Sequence, residues 1–308
     1  MSSQVAGESP LFPPDYESAT AAQDAIEHVV HQTPRNFNLE RTRWTLKLLR
    51  NTLPGLNLAS DSALHHLLKR LNIRDKRGRD YTHSPDVDYV AKCDQIASYQ
   101  ARARRNPVAF PLYFLDELTY YRQPTLAHAY ETIGHEQPLA LRSYRSNTKT
   151  RIVGALNYVD GSVVYRQRSK ISVSVLGDFW YDLALKHPTA QAIAVVVDNW
   201  PVHFHPDVLA PLQTQTFAFP THNPSHWPTE PTRAAKHDHL PIRLLQLPTY
   251  APWLNPIEKL WRYLYQEVLH LHQFSDLWDQ LKQKITERLD QFALPSPFLL
   301  NYVGLLGV

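Results

Sequence analysis

Residues 247–264 read LPTYAPWLNPIEKLWRYL, and how this stretch folds decides how the rest of the chain is organised. Asn255-Pro256-Ile257-Glu258 has the grammar of a helix start, with Asn as N-cap, Pro at the first helical position and Glu at the third, where a capping box wants it. Ile257, Leu260, Trp261, Leu264, Tyr265 and Val268 then recur at helical spacing and make one apolar stripe. Glu258 falls about 100° around the helix from Ile257, at the edge of that stripe and free to face a cleft. It caps the helix, or it carries chemistry, or it does both.

Outward from this helix the chain alternates strand and helix signals. Strands are expected at about 108–116, 125–131, 150–158 and 162–168, the last two joined as a hairpin across Val159-Asp160-Gly161. A helix at about 174–187, an apolar strand at 192–198, a helix around 206–214, a strand at 242–247 and helices at 256–272 and 275–292 follow. A hairpin followed by helices interleaved with buried strands describes a mixed α/β sheet covered on both faces. That is the order of a ribonuclease-H-like fold, assigned here to residues 106–308. Residues 214–241, rich in Pro, Thr and His, read as a long surface loop. Its His222, His226, His237 and His239, with His203 and His205 upstream, lack the third donor that a strong zinc pattern requires.

The 308 residues contain no apolar run of the 18 to 20 residues a membrane span needs, and the N-terminus has no signal-peptide pattern. The expected setting is cytoplasmic. A single cysteine, Cys93, excludes an intrachain disulfide and any multi-cysteine zinc site, so a bound metal must use oxygen or imidazole.

The net charge of +3 is unevenly spread. Residues 1–34 carry −5, residues 35–105 carry +8 and residues 106–308 are neutral. A small basic unit of this kind is the electrostatic footprint of something that neutralises phosphates. Residues 1–34 read as disordered or as a remnant segment, with a short helix at 17–32; residues 35–105 read as a winged helix-turn-helix domain with a linker helix. A first helix spans about 41–50. In the second, ASDSALHHLLKRLNI, Leu64, Leu67, Leu68 and Leu71 form the buried stripe, and Ser62, His65, His66, Lys69 and Arg70 face outward. Arg74, Lys76, Arg77 and Arg79 crowd around Gly78 as a basic wing. These residues, with Arg43, are the candidate contacts to double-stranded DNA. A three-helix module with a solvated basic loop is the alternative. Ser84-Pro85 then opens the linker helix, which runs to about Arg104.

Asp116 closes the first strand of the larger unit, Asp198 closes AIAVVVD, and Glu258 opens the helix after the strand at 242–247. Ligands of open α/β sheets gather outside the carboxyl ends of strands. Three carboxylates sharing a cleft would repel one another unless a divalent cation neutralised them, and hard oxygen donors suit Mg²⁺ or Mn²⁺. Glu117 is the other choice for the first ligand, but successive strand residues point to opposite faces, so one of the two should reach the cleft.

FLDE at 114–117, VVVDNWPVHFHP at 195–206 and LPTYAPWLNPIEKLW at 247–261 together resemble the three signature blocks of the Tc/mariner superfamily transposases, specifically the bacterial insertion sequence 630 family. The resemblance implies that Asp116, Asp198 and Glu258 form the DDE metal triad. It also implies that Asn199, His203 and Asn255 support it or contact DNA, Asn255 chiefly as the helix cap. TRWTLKLLR through KRGRDYTHSPD is similar to the family's winged helix-turn-helix unit. The implied activity is cleavage of terminal inverted repeats and strand transfer into target DNA, by a homodimer when DNA is bound, in a bacterial, nucleoid-associated setting. A transposase-derived DNA-binding protein or repressor without catalysis, and a ribonuclease-H-like nuclease without strand transfer, are the alternatives. The chain departs from the family in the 60 positions separating Asp198 from Glu258, lengthened by the Pro/His-rich loop, and in residues 1–34, too short and acidic to supply the family's first helix-turn-helix.

Overall fold

The computed structural model describes residues 18–56, 58–76 and 83–306. The chain divides into two compact units, Met1–Tyr81 and Thr82–Val308.

The smaller unit holds three helices, α1 (Ala19–Val30), α2 (Leu46–Thr52) and α3 (Asp61–Arg70). Each starts at a hydroxyl residue, Ser18, Thr45 or Ser60, whose side chain accepts from the backbone N–H three residues on. Leu64, Leu67, Leu68 and Leu71 are buried as their spacing predicts. They pack with Leu49, Leu53 and Leu56 and, unexpectedly, with Ile26 and Val29 of α1. The short helix expected at 17–32 forms as α1 and contributes to this core, so that part of residues 1–34 is not disordered. Among the described residues this unit contains no strand, and most of the proposed wing, including Arg77 and Arg79, lies outside the described residues.

The expected boundary at 105/106 is also corrected. Helix α4 (Tyr89–Arg105) belongs to the larger unit, where Ile96 and Ala103 pack with Leu112, Phe114, Ala194 and Val196. Burial of these apolar side chains against a sheet outweighs the basic composition that grouped the helix with the preceding residues.

The larger unit is built on five strands, β1 (Leu112–Tyr121), β2 (Lys149–Asn157), β3 (Val163–Arg168), β4 (Ile193–Val197) and β5 (Ile242–Gln246). Their order is β3-β2-β1-β4-β5, with β1, β2 and β3 antiparallel and β1, β4 and β5 parallel. Helices α5 (Val173–Lys186) and α6 (Pro206–Leu209) cover one face, over Tyr113, Leu115, Val153, Val195 and Val197. Alongside α4, the other face takes α7 (Ile257–Leu264), α8 (Trp278–Asp290) and α9 (Pro297–Val303). This is the mixed ribonuclease-H-like sheet expected. The expected strand at 125–131 does not form: Thr125 makes one isolated bridge with His270, and the residues beyond have no strand partner. Helix α7 ends earlier than its stripe, passing into a π-helical turn at Tyr265–Leu269, so Tyr265 and Val268 are only partly buried.

Candidate active site

Strand pairing alone brings two carboxylates together. In the parallel pair of β1 and β4, Phe114 lies opposite Val196. Two residues further along each chain, Asp116 and Asp198 therefore stand at one level on neighbouring paths, about 5 Å apart in the sheet. Strand β4 has ended by then, so Asp198 is free to turn: its Oδ1 accepts from the Trp200 N–H (2.9 Å) and lies 3.2 Å from His203 Nε2. His203 is fully buried and its Nε2 also lies 3.6 Å from Glu117 Oε1.

Strand alternation sends Asp116 and Glu117 to opposite faces of the sheet, as expected. Asp116 points to the α7 side, where the Trp261 indole N–H donates to its Oδ2 at 2.8 Å. Glu117 points to the opposite side and meets His203. Because Asp198 has left the strand, it addresses both. Among the described residues, the group of three ligand atoms lying within 4.8 Å of one another is Glu117, Asp198 and His203, not the expected trio. Glu117 and His203 thus enter the site through a contact that strand periodicity could not reveal, although both lie inside the quoted blocks.

Helix α7 delivers the third carboxylate, and not as a cap. Its N-cap is Pro256, no side chain caps it, and Glu258 is its second residue. The expected capping role of Asn255 is corrected: its side-chain amide is buried and donates to the Leu115 carbonyl at 3.0 Å, fastening the start of α7 to β1 one residue before Asp116. Gly154, opposite Asp116 on β2, lets Trp261 approach, because a Cβ there would meet the indole ring at 2.7 Å. Glu258 is exposed, on the solvent side of the cleft.

The electrostatics carry the mark of crowded negative charge. Burial, then Glu258 and Glu117, push the Asp116 carboxyl up to about 8. Burial also raises Glu117 to about 7, with Asp198 adding and His203 and Arg151 opposing. Loss of hydration and the Asp198 charge raise Glu258, against Arg262. Asp198 runs the other way: burial would raise it, but the contact with His203 brings it below the ordinary range. Burial opposes the charged form of His203, yet Glu117 and Asp198 raise its pKa. Its ring lies within reach of both carboxylates, on the Glu117 side of the sheet. Asp116, the free side of Asp198 and Glu258 are left as an oxygen set whose mutual repulsion a divalent cation would relieve.

Asn199 is structural in this arrangement, donating to the Leu247 carbonyl (2.9 Å) and to Thr249 Oγ1 (3.2 Å) across the ends of β4 and β5. Thr249 is held in turn by Asp86, which accepts its N–H at 2.7 Å and pairs with buried Lys92 at 2.7 Å. Beside them a cavity of about 430 Å³ is walled in part by Thr221 and His222, which brings the Pro/His-rich loop next to Asn199. In the smaller unit Arg43, Ser62, His65, His66, Lys69, Arg70, Arg74 and Lys76 are all exposed, so the outward face drawn from the helical period exists.

Sheet order and carboxylates at the ends of the central strands define a ribonuclease-H-like domain. The chain belongs to the DDE superfamily endonucleases, whose family model matches residues 111–282. The insertion element IS630 39 kDa protein of Shigella sonnei is 22% identical over 261 residues, covering 84% of this chain and 67% of that protein. Two solved structures share the fold, each over 98% of this chain and 78% of the other at 16% identity and a TM-score of 0.60. They are a Mos1 transposase paired-end complex with the left transposon end, and a Mos1 mariner paired-end complex with Mn. The Tc/mariner-like resemblance of the three blocks is borne out by these matches.

Proposed function

We propose that this protein is a DNA transposase that cleaves the terminal inverted repeats of its element and joins the freed ends to target DNA. The observation carrying the reading is electrostatic: burial and then Glu258 raise Asp116 on β1, and burial and then Asp198, past the end of β4, raise Glu258 at the start of α7. Asp116, Asp198 and Glu258 would hold Mg²⁺ or Mn²⁺; bound there, the metal would lower the cost of deprotonating the attacking water or 3′-hydroxyl and stabilise the leaving oxygen. Trp261 fixes the Asp116 carboxylate, Asn255 fixes α7 against β1, and His203 compensates Glu117 and Asp198 without leaving the core.

DNA recognition is assigned to the smaller unit, acting as a winged helix-turn-helix with α3 in the major groove. Its exposed Ser62, His65, His66, Lys69 and Arg70 would read or flank bases, and Arg43, Arg74, Lys76, Arg77 and Arg79 would contact phosphates. Two ends must be brought together, so the complex with DNA is a homodimer. The Mos1 relatives, complexes with a transposon end and with Mn, support this reading.

The test is an excision and joining assay with Mg²⁺ or Mn²⁺ on DNA carrying the element's ends, with Asp198→Asn as control. Cleaved and joined products lost in the variant are expected. Cleavage without joining would assign a nuclease, end binding without cleavage a repressor, and activity retained by Asp198→Asn would sink the DDE assignment.

A further inference from the structure

Two arginines share one rung of the sheet. Arg151 on β2 stands opposite Arg168 on β3, and on its other side opposite Thr119 of β1. Like charges placed directly across a strand pair destabilise it. On the next rung of the same face Arg166 stands opposite Val153 and pairs with Asp182 and Asp178 of α5. Arg151 and Arg168 have no such partner among the described residues. Arg168 is exposed and gives one guanidinium nitrogen to the Gln167 carbonyl at 2.8 Å. The Nε of Arg151 is buried and no group accepts its hydrogen. An orphaned buried donor in an interior strand is costly and calls for a ligand.

The position of the pair says what that ligand would be. Glu117 lies opposite Val153, so Arg151 is its diagonal neighbour across the strands, about 7–8 Å away. The two arginines therefore stand on the Glu117 face of the sheet, on its β2–β3 side, with Asp116 on the other face. Exposed Lys149 and Lys170 lie two residues from them along the chain. We propose that Arg151 and Arg168 grip a backbone phosphate of the DNA, holding the strand along the Glu117 face of the sheet. The proposal rests on the transposase reading above. Guanidinium forks match the phosphate oxygens, and a contact of this kind sets register without reading sequence. The anion also removes the repulsion between the paired arginines, so this rung is better satisfied with DNA than without it.

The test is binding of the full chain to a fluorescent duplex of about 30 base pairs at salt between about 50 and 300 mM. Each phosphate contact contributes about 0.9 to the slope of log affinity against log salt. Arg151→Gln and Arg168→Gln are each expected to flatten the slope by about that amount, alike on unrelated sequences, while Arg151→Lys retains it. Arg168, exposed on the edge strand, carries the test if Arg151→Gln fails to fold. A wild-type slope in both Gln variants, with a lowered melting temperature for Arg151→Gln, would show that Arg151 only balances Glu117. That result overturns the proposal and leaves the transposase reading intact. A wild-type chain that does not bind the duplex overturns both.

Discussion

Asp116→Asn is expected to stabilise the metal-free protein while abolishing DNA cleavage. The Asp116 carboxyl stands at about 8 in the fold against an ordinary 3.8, chiefly because it is buried and faces Glu258 and Glu117. A group raised on folding takes up a proton between the two values. Its contribution to stability is fully present below about 3.8 and is lost as pH rises through the folded value. The slope is about 1.4 kcal/mol per pH unit per proton, so between pH 5 and pH 7 this one carboxyl withdraws about 3 kcal/mol. That is a large share of the 5–15 kcal/mol typical of a domain. Asparagine cannot ionise, yet keeps an oxygen for the Trp261 indole N–H. Urea unfolding in EDTA at pH 5, 6 and 7 should show wild-type stability falling with a steeper slope than the variant's, since Glu117 and Glu258 remain in both. Added Mn²⁺ should restore the wild type at pH 7 and do little for Asp116→Asn. Parallel slopes, or a variant weaker than wild type at pH 7, would refute the account of Asp116 as a carboxylate strained by its neighbours.

Gly154→Ala drives a Cβ into Trp261, 2.7 Å away, and should cost about 1–3 kcal/mol through overpacking. Cleavage should fall while duplex binding by gel shift is unchanged; an unaltered cleavage rate would mean that Trp261 does not orient Asp116. Asn255→Ala leaves the Leu115 carbonyl buried and unpaired, and thermal unfolding should register a loss of about 1–3 kcal/mol. A loss of only a few tenths would indicate that α7 is held by packing alone. Asp86 would be raised by burial, but Lys92 and the Thr249 and Asp88 N–H groups bring it to about 2. The stability it supplies is therefore present above 3.8 and lost as pH falls towards 2. Asp86→Asn should cost about 2–3 kcal/mol at pH 7, with a smaller difference at pH 3; an equal difference at both would exclude the Lys92 pair as its source.

Asp116 and Asp198 were legible because each ends an apolar run, and register then brings such ends level in a parallel pair. Glu117 and His203 were legible only as an alternative ligand and a supporting residue; their meeting with Asp198 was not, because strand alternation assigns one face per residue and says nothing of Asp198 past the end of β4. The strand expected at 125–131 failed for a related reason: alternation marks a segment that suits a sheet but does not supply a neighbour. Asn255 failed differently. Its local grammar favours an N-cap, and a buried carbonyl 140 residues away in sequence won the amide.

That contact explains why LNPIEKLW carries so much of the recognition. Every residue from Asn255 to Trp261 except Glu258 helps seat one helix. Asn255 ties it to Leu115, Pro256 sets its entry, Ile257 and Leu260 fill the core, and Lys259 donates to the Val303 carbonyl at 2.7 Å. Trp261 reaches across Gly154 to Asp116. Glu258 alone in this run faces solvent without a packing or hydrogen-bonding role among the described residues, and it is the one carboxylate. A seven-residue run with six positions committed to placing a helix end and one left over is what a site needs when its third ligand must be held to a fraction of an ångström by elements distant in sequence. On the transposase reading the helix start and the site are one construction, in which the start would carry Glu258 towards Asp116 and Asp198.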